Sequence, residues 1–326
     1  MKAVRYSKYG SPDQLNFSEI KNPVVKKNEV LVKVYAASIN SWDWDMIKGK
    51  PLLVRIISGF FKPKYQTPGA DIAGIVESVG KDVKDFKPGD EVFGDIAGSG
   101  FGGFAEYVCT KENLLVRKSS AISFEEAAAL PQAGLLALQG LRYKKPIQKS
   151  GHLLINGAGG GVGTIALQLA KLSGVTVTCV DKEEKFDMLR SLGADTCIDY
   201  RKKDYTLTGT QYDYILDVIA HKSVSAYTRA LKPNGVFAMI GGSMGWLLVQ
   251  MMFIQPFLSK FRSKKLGVMG YRSVQSDLDL LQQLVAEKKI KLIIDSAFPL
   301  SEATEAFRHF NSGNFKGKIL FSVVNN

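Results

Sequence analysis

The sequence predicts an α/β protein made of a β-rich domain and a doubly wound parallel sheet, and three observations carry that prediction. Roughly the first 120 residues hold short β-type runs broken by turns, and the region after them alternates β-type with helical runs. A glycine-rich turn joins the first β-type run of that second region to its first helix. At 326 residues the chain is too long for one compact core and fits two domains.

In the first region the strand candidates are "NEVLVKVYAASIN", "GADIAGIVESVG" and "GDEVFGDI". The pattern changes at "SFEEAAALPQAGLLALQGL", where Ser123 can cap a helix whose first turn carries Glu125 and Glu126, acids that favour the positive end of the helix dipole. Six strand candidates follow: "HLLINGA", "VTVTCVD", "TCIDY", "YDYILDVI", "GVFAMIGG" and "KLGVMGY". Helical stretches such as "GTIALQLAKLSG" and "EEKFDMLRSLG" lie between them, the pattern of a parallel sheet with right-handed crossovers. After the helix "SDLDLLQQLVAEKKI", the tail ends in a strand that a six-stranded sheet cannot place, so it is expected to return to the first domain. The boundaries are expected at residues 1–122 with 290–326 for the β-rich domain and 123–289 for the parallel sheet.

Composition narrows the function classes. The start, "MKAVRYSKYG", alternates like a strand and shows no secretory pattern, and a cytoplasmic location is expected. "WLLVQMMFIQPFL" is broken by Gln250, Gln255 and Pro256 and is too short to span a bilayer. Cys109, Cys179 and Cys197 fit neither a disulfide framework nor a zinc quartet and read as buried, reduced thiols. The formal net charge of +12 suits phosphate-bearing molecules, membrane surfaces or nucleic acid, but no nucleic-acid motif accompanies it, and no nucleic-acid partner is expected.

"LLINGAGGGVGTIALQLAKL" carries the strongest chemical signal. A strand ends at Ile155 and a helix starts near Gly163. The turn between them reads Ala158-x-Gly160-x-x-Gly163, a GxGxxG whose first glycine is replaced by Ala. Glycines let the backbone approach a pyrophosphate, and free N–H groups at the helix start favour the anion. Ala158, Gly159, Gly160, Gly161, Val162 and Gly163 are therefore candidate cofactor-binding residues. The second strand ends at Asp181, 18 residues beyond Gly163 (181 − 163), where an acid can accept hydrogen bonds from a ribose diol. Lys182 and Lys185 argue the other way, since either could meet a 2′-phosphate. NADH is favoured over NADPH, with dual use open.

Together these residues resemble the medium-chain dehydrogenase/reductase superfamily, and within it the zinc-independent quinone oxidoreductase branch. The resemblance rests on "ASINSWDW", "PGADIAGIVESVG", "FKPGDEVFG", "GGFAEYV", "AAALPQAGLLALQGL", "GAGGGVGTIALQLAK", "LRSLGAD", "LKPNGVFAMIGG" and the closing "GKILF", which run nearly end to end. It implies a GroES-like fold for the β-rich catalytic domain, a Rossmann fold for the NAD(P)-binding domain, and a homodimer. Zinc-bearing members place a Cys near the segment holding Asn40 and Ser41, and a His and Glu where this chain has Ala70 and Asp71. The chain lacks that Cys and His, and between Asp95 and Cys109 it lacks the cysteine-rich lobe that holds structural zinc. A lone carboxylate cannot form such a site, so no zinc is expected and Asp71 reads as a structural turn acid.

Without a metal electrophile to stabilise a developing alkoxide, oxidation of simple alcohols is disfavoured. A quinone or an α,β-unsaturated carbonyl can take hydride directly from a nicotinamide. The expected activity is NAD(P)H-dependent reduction of such a lipophilic electrophile. The alternatives are a 2-enoyl thioester reductase and a non-catalytic NAD(P)H-binding protein. By resemblance, Asn40 is the catalytic candidate facing the nicotinamide end of the cleft; a structural turn amide is the other reading. Further cofactor contacts implied by position are Ile219 and Ala220, Gly241, Gly242 and Ser243, and Lys318. His221 stands where the family commonly has glycine, and Leu136 where it often has a threonine.

Two segments share bulky apolar residues with Lys or Arg interspersed: "PLLVRIISGFFKPKY" and "WLLVQMMFIQPFLSKFRSKK". Phe60, Phe61, Met251, Met252, Phe253 and Phe257 could line a pocket for a lipophilic acceptor. A dimer interface, plain core, and a weak membrane-surface contact through Lys260, Arg262, Lys264 and Lys265 are the other readings.

Overall fold

A computed structural model describes residues 1–242 and 263–324, and the chain divides into two compact units, Met1–Ala133 with Ser273–Asn326 and Gly134–Arg272. In the first unit β1 (Lys2–Arg5) pairs with β2 (Asn16–Glu19). β3 (Glu29–Ser38) is followed by two helices, α1 (Ser41–Lys48) and α2 (Leu52–Ser58). Then come β4 (Asp71–Val79), β5 (Glu91–Asp95), β6 (Tyr107–Lys111), β7 (Val116–Arg117) and α3 (Phe124–Ala129). The alternation in β3 has the expected cause: Val30, Val32, Val34 and Ala36 turn into the core while the residues between them are partly exposed. Ser123 caps α3 as expected, accepting the Glu126 N–H at 3.1 Å while Glu126 accepts the Ser123 N–H at 2.9 Å.

α4 (Pro131–Leu141) carries the division between units. In the second unit β8 (His152–Asn156), α5 (Gly161–Leu172), β9 (Thr176–Asp181), α6 (Phe186–Ser191), β10 (Thr196–Asp199), β11 (Tyr212–Asp217), α7 (Val224–Ala230), β12 (Leu231–Met239) and β13 (Lys265–Val268) follow in order. All six strand candidates form, and they pair in parallel in the order β10-β9-β8-β11-β12-β13. That is the 3-2-1-4-5-6 order of a Rossmann sheet.

The chain then returns to the first unit through α8 (Gln275–Ala286), β14 (Ile294–Pro299), α9 (Ala303–Ser312) and β15 (Lys318–Ser322). β15 adds to β3, completing a sheet in the order β14-β15-β3-β4-β5-β7 with β6 on β3. Phe104, Phe307 and Phe321 pack edge to face at the centre of this unit's core.

The expected boundaries move. α3 and α8, placed with the parallel sheet from sequence, belong to the β-rich unit. α3 packs on β3 and β4, and Gln282 of α8 accepts the Ser119 N–H and donates to the Arg117 carbonyl. The thiols are unpaired, but only Cys179 is buried, and Cys197 is its register partner on the neighbouring strand. Among the described residues no helix is long and apolar enough to cross a membrane. Ser243 and most of the second apolar–basic segment lie outside the described residues. Of its basic residues, Lys264 donates to the Thr228 carbonyl and Lys265 opens β13.

Candidate functional site

Two groups of functional candidates form, one in each unit. In the β-rich unit, antiparallel pairing brings the ends of β3 and β5 beside the starts of β4 and β15, so Ser38, Asn40, Asp71, Asp95 and Lys318 converge. All five are buried. Asp71 opens β4 and is the hub. It accepts hydrogen bonds from the Ser38 hydroxyl at 3.2 Å, the Asn40 amide at 3.0 Å and the Gln132 N–H at 3.2 Å. Lys318 Nζ lies 3.9 Å from Asp71 Oδ2 and donates to Asn40 Oδ1 at 2.6 Å and to the Ile39 carbonyl at 3.1 Å. Asn40 thus stands at the cap of α1 with its amide held at both ends.

Asp43 lies in the same region. Its carboxylate accepts the Asn40 N–H at 2.9 Å and the Gly69 N–H at 3.0 Å. Burial pushes its carboxyl up to about 7, against the pull of those two bonds and of the Lys318 charge, with Asp95 adding to the rise. Burial also raises Asp71 and lowers Lys318; each is the main charge opposing the other's shift. These groups hold one another in an arrangement that neither could occupy alone.

In the Rossmann unit the glycine-rich turn has a definite donor pattern. The Ala158 N–H bonds Val180, the Gly160 N–H bonds Gly157, and the Gly159 N–H goes to Asp181 Oδ2 at 2.7 Å. Among the described residues Gly161, Val162 and Gly163, at the start of α5, have no backbone acceptor behind them and leave three N–H groups for an anion. A Cβ at Gly163 would come within 2.5 Å of Ala158 Cα, Ala158 O and Gly157 O, so only glycine lets the helix pack this close to its strand. A Cβ at Gly160 would find its nearest neighbour at 3.7 Å, leaving the turn open at that point. This geometry fits a pyrophosphate.

Beneath the turn the Asp217 carboxylate accepts from the Asn156 amide at 2.8 Å, the Ile219 N–H at 3.1 Å and the Tyr205 hydroxyl at 3.2 Å. It ties the carboxyl ends of β8 and β11 together. Ala220 and Gly242 form a parallel bridge where a Cβ on Gly242 would meet the Ala220 backbone at 2.1 Å, and Gly242 has φ +122.

Several expectations change. Lys185, which from sequence could meet a 2′-phosphate, is buried, with Nζ 3.4 Å from Asp181 Oδ1. Asp181 also accepts the Lys182 N–H at 2.8 Å, so it braces the turn and its own helix start. Lys318, a cofactor contact implied by the resemblance, donates to Asn40 and Ile39. Asp71 is a buried strand residue where a turn acid was expected. Ile219 is exposed, Ala220 is buried, and Gly241 lies 2.8 Å from Val218 O as a Cβ would measure it. His221 is exposed, with Nδ1 at 3.0 Å from the Ile219 carbonyl. Asp43, Asp95 and Asp217 were not singled out from sequence; only the Asn40–Asp43 capping spacing offered a signal. Among the described residues no group of three or more His, Cys, Asp or Glu comes together to hold a metal.

The comparisons agree with this geometry. Residues 26–120 match the family described as alcohol dehydrogenase GroES-like domain, and residues 192–320 match the one described as zinc-binding dehydrogenase. A chloroplastic quinone oxidoreductase of Triphysaria versicolor is 35% identical over 333 residues, covering 98% of each chain. An NADPH-dependent alkenal/one oxidoreductase of Arabidopsis thaliana is 32% identical and covers 98% of this chain and 79% of its own. The solved quinone oxidoreductase of Coxiella burnetii superposes with a TM-score of 0.89 at 30% identity over 99% of both chains. This chain therefore belongs to the medium-chain dehydrogenase/reductase superfamily, in its quinone oxidoreductase branch.

Proposed function

We propose that the chain reduces quinones or α,β-unsaturated carbonyls by hydride transfer from NADH or NADPH, without zinc. The observation that carries the reading is the α5 start, where three N–H groups without an acceptor among the described residues lie beside a position open enough for a pyrophosphate to approach. The dinucleotide, when bound, supplies the hydride. The protein's part is to bind it, to hold the acceptor and to exclude water.

Asn40 is the group proposed to touch the reacting partners. Its Oδ1 faces Lys318 and one Nδ2 hydrogen faces Asp71, which leaves the second Nδ2 hydrogen to orient a carbonyl oxygen. Such a donor, fixed before the acceptor arrives, can stabilise charge that develops on oxygen as hydride is delivered. The zinc-free reading is supported by the donors around Asp71: a hydroxyl, an amide, an N–H and a lysine ammonium surround the carboxylate that stands where, by resemblance, zinc-bearing members of the superfamily carry a ligand. NADH remains the favoured donor because Asp181 can still accept from a ribose diol, while its pairing with Lys185 weakens repulsion of a 2′-phosphate and keeps NADPH usable. A cytoplasmic homodimer is part of the same proposal, supported by the unpaired thiols and by the family resemblance.

Steady-state assays of NADH and NADPH against 1,4-naphthoquinone, a 2-alkenal and crotonyl-CoA test this reading. Turnover is expected with the first two acceptors and unchanged by a chelator. Turnover confined to the thioester, or none with cofactor bound, would assign the chain to enoyl thioester reduction or to binding alone. Loss of activity on chelation would refute the zinc-free mechanism, and sedimentation velocity decides the oligomer.

A further inference from the structure

The segment around α2 is turned inside out. Val54 and Ser58 face the core, while Leu52, Ile56 and Ile57 face outward. Phe60 and Phe61 follow, packed edge to face on each other at 5.1 Å, and Phe61 is 91% exposed. Five large apolar side chains are thus exposed within ten residues, on a unit whose own core is otherwise closed around its aromatic centre. Isolated exposed hydrophobics are ordinary, but a contiguous set marks an interaction surface.

The platform is rigidly built. The Tyr9 hydroxyl meets the Ser58 hydroxyl at 2.8 Å and donates to the Gly59 carbonyl, the Arg55 guanidinium stacks on the Tyr9 ring at 4.6 Å, and Arg55 Nε donates to the Gly49 carbonyl at 3.0 Å. Gly59 has φ +108, and a Cβ there would lie 2.2 Å from the Lys62 carbonyl, so the turn that presents the two phenylalanines requires glycine.

The charge around the patch identifies its partner. Between Asp45 and Asp71 there is no acidic residue, and Lys50, Lys62 and Lys64 are exposed beside the apolar side chains. Among the described residues no carboxylate pairs with any of the three lysines. A two-fold dimer through this face would bring together two basic segments with no acid of their own to pair the lysines. An anionic lipid surface satisfies both features, with apolar side chains entering the headgroup boundary and ammonium groups meeting lipid phosphates. We infer that the 50–64 segment is a peripheral docking surface for anionic lipid bilayers. The inference is independent of the proposed reaction, and its test reads binding alone.

The full chain is sedimented with vesicles of phosphatidylcholine alone and of phosphatidylcholine with about one third phosphatidylglycerol, at low and high salt. Binding to the anionic vesicles is expected at low salt, with a partition coefficient about tenfold lower in high salt and on neutral vesicles. The F60S/F61S variant alters only exposed side chains, so its melting temperature is expected to match wild type while its partition falls about tenfold. K62Q/K64Q is expected to weaken binding and flatten the salt dependence. Wild type that stays in the supernatant with anionic vesicles overturns the inference. So does equal sedimentation of wild type and F60S/F61S, or a wild-type dimer that F60S/F61S converts to monomer without vesicle binding.

Discussion

Lys318 donates to Asn40 Oδ1 at 2.6 Å while its charge stands 3.9 Å from Asp71, so one ammonium both aims the candidate catalytic amide and offsets the buried carboxylate beside it. Removing it separates these two roles by pH. In Lys318→Met, Asp71 is left buried without its cation, and breaking such a pair costs about 3–5 kcal/mol when the remaining group is charged. Asp71 is already raised by burial, and losing Lys318 raises it further, so below its new value it takes a proton and the cost shrinks. Urea unfolding of K318M is therefore expected to show a large loss of stability above neutrality and a smaller one in mild acid. Equal losses at both pH values would mean that the pair contributes nothing as charges.

Asn40→Ala tests the amide itself. Its removal takes away the proposed donor to the acceptor oxygen and leaves Lys318 and Asp71 each short of one partner. Loss of one preorganised donor is expected to lower kcat by about 10–100-fold, with little change in the dissociation constant of the dinucleotide. The accompanying stability cost is about 1–3 kcal/mol, because two buried groups lose a hydrogen bond. Cofactor fluorescence titration alongside turnover separates the two effects; undiminished kcat in a folded variant would return Asn40 to a purely structural role.

The Rossmann unit was legible because its signals are local. β8 through β13 each show as a short apolar run, and the glycine spacing shows the turn directly. The return of the tail was also legible, since β15 had no place left in the parallel sheet. The polar cluster was not, because it depends on pairings such as Ser38 with Asp71 and Leu320 with Ser38 across the chain. Lys318 reads as a cofactor contact by position, and nothing nearby in sequence shows that Asn40, 278 residues away, accepts its hydrogen bond. The misplacement of α3 and α8 has a similar origin: helical periodicity reveals a buried face without naming the sheet it covers.

Asp43 gives the fold a defined pH response. Its folded-state value is raised to about 7 by burial, so between the ordinary carboxylate range and about 7 the native state binds more protons than the unfolded chain. The sign follows: stability falls as pH rises through that window. Asp71 shifts in the same direction, whereas Asp195, Asp204 and Asp213 are lowered and act at more acidic pH. Asp43→Asn is expected to be less stable than wild type in mild acid, because an amide cannot accept both the Asn40 and Gly69 N–H groups as the carboxyl oxygens do. It is also expected to show a shallower decline toward pH 7. A decline as steep as wild type would assign the dependence to other groups.

Gly160 and Gly163 separate folding from cofactor binding. Gly163 is packed so that an added methyl would meet three backbone atoms of Gly157 and Ala158 at 2.5 Å, and backbone cannot move aside as a side chain can. Gly163→Ala is expected to force α5 away from β8, costing about 1–3 kcal/mol of stability and misaiming the three N–H groups at its start. Gly160 has φ −88, allowed for any residue, and an added methyl would meet its nearest atom at 3.7 Å. Gly160→Ala is therefore expected to melt within a degree or so of wild type, since no described residue resists it. Its methyl would instead project where the pyrophosphate approaches, and dinucleotide affinity is expected to fall about tenfold or more. Differential scanning calorimetry with and without NADH reads both effects: G163A loses stability in the absence of cofactor, and G160A loses only the stabilisation that cofactor adds. A G160A variant stabilised by NADH as strongly as wild type would remove the glycine-rich turn from the pyrophosphate site.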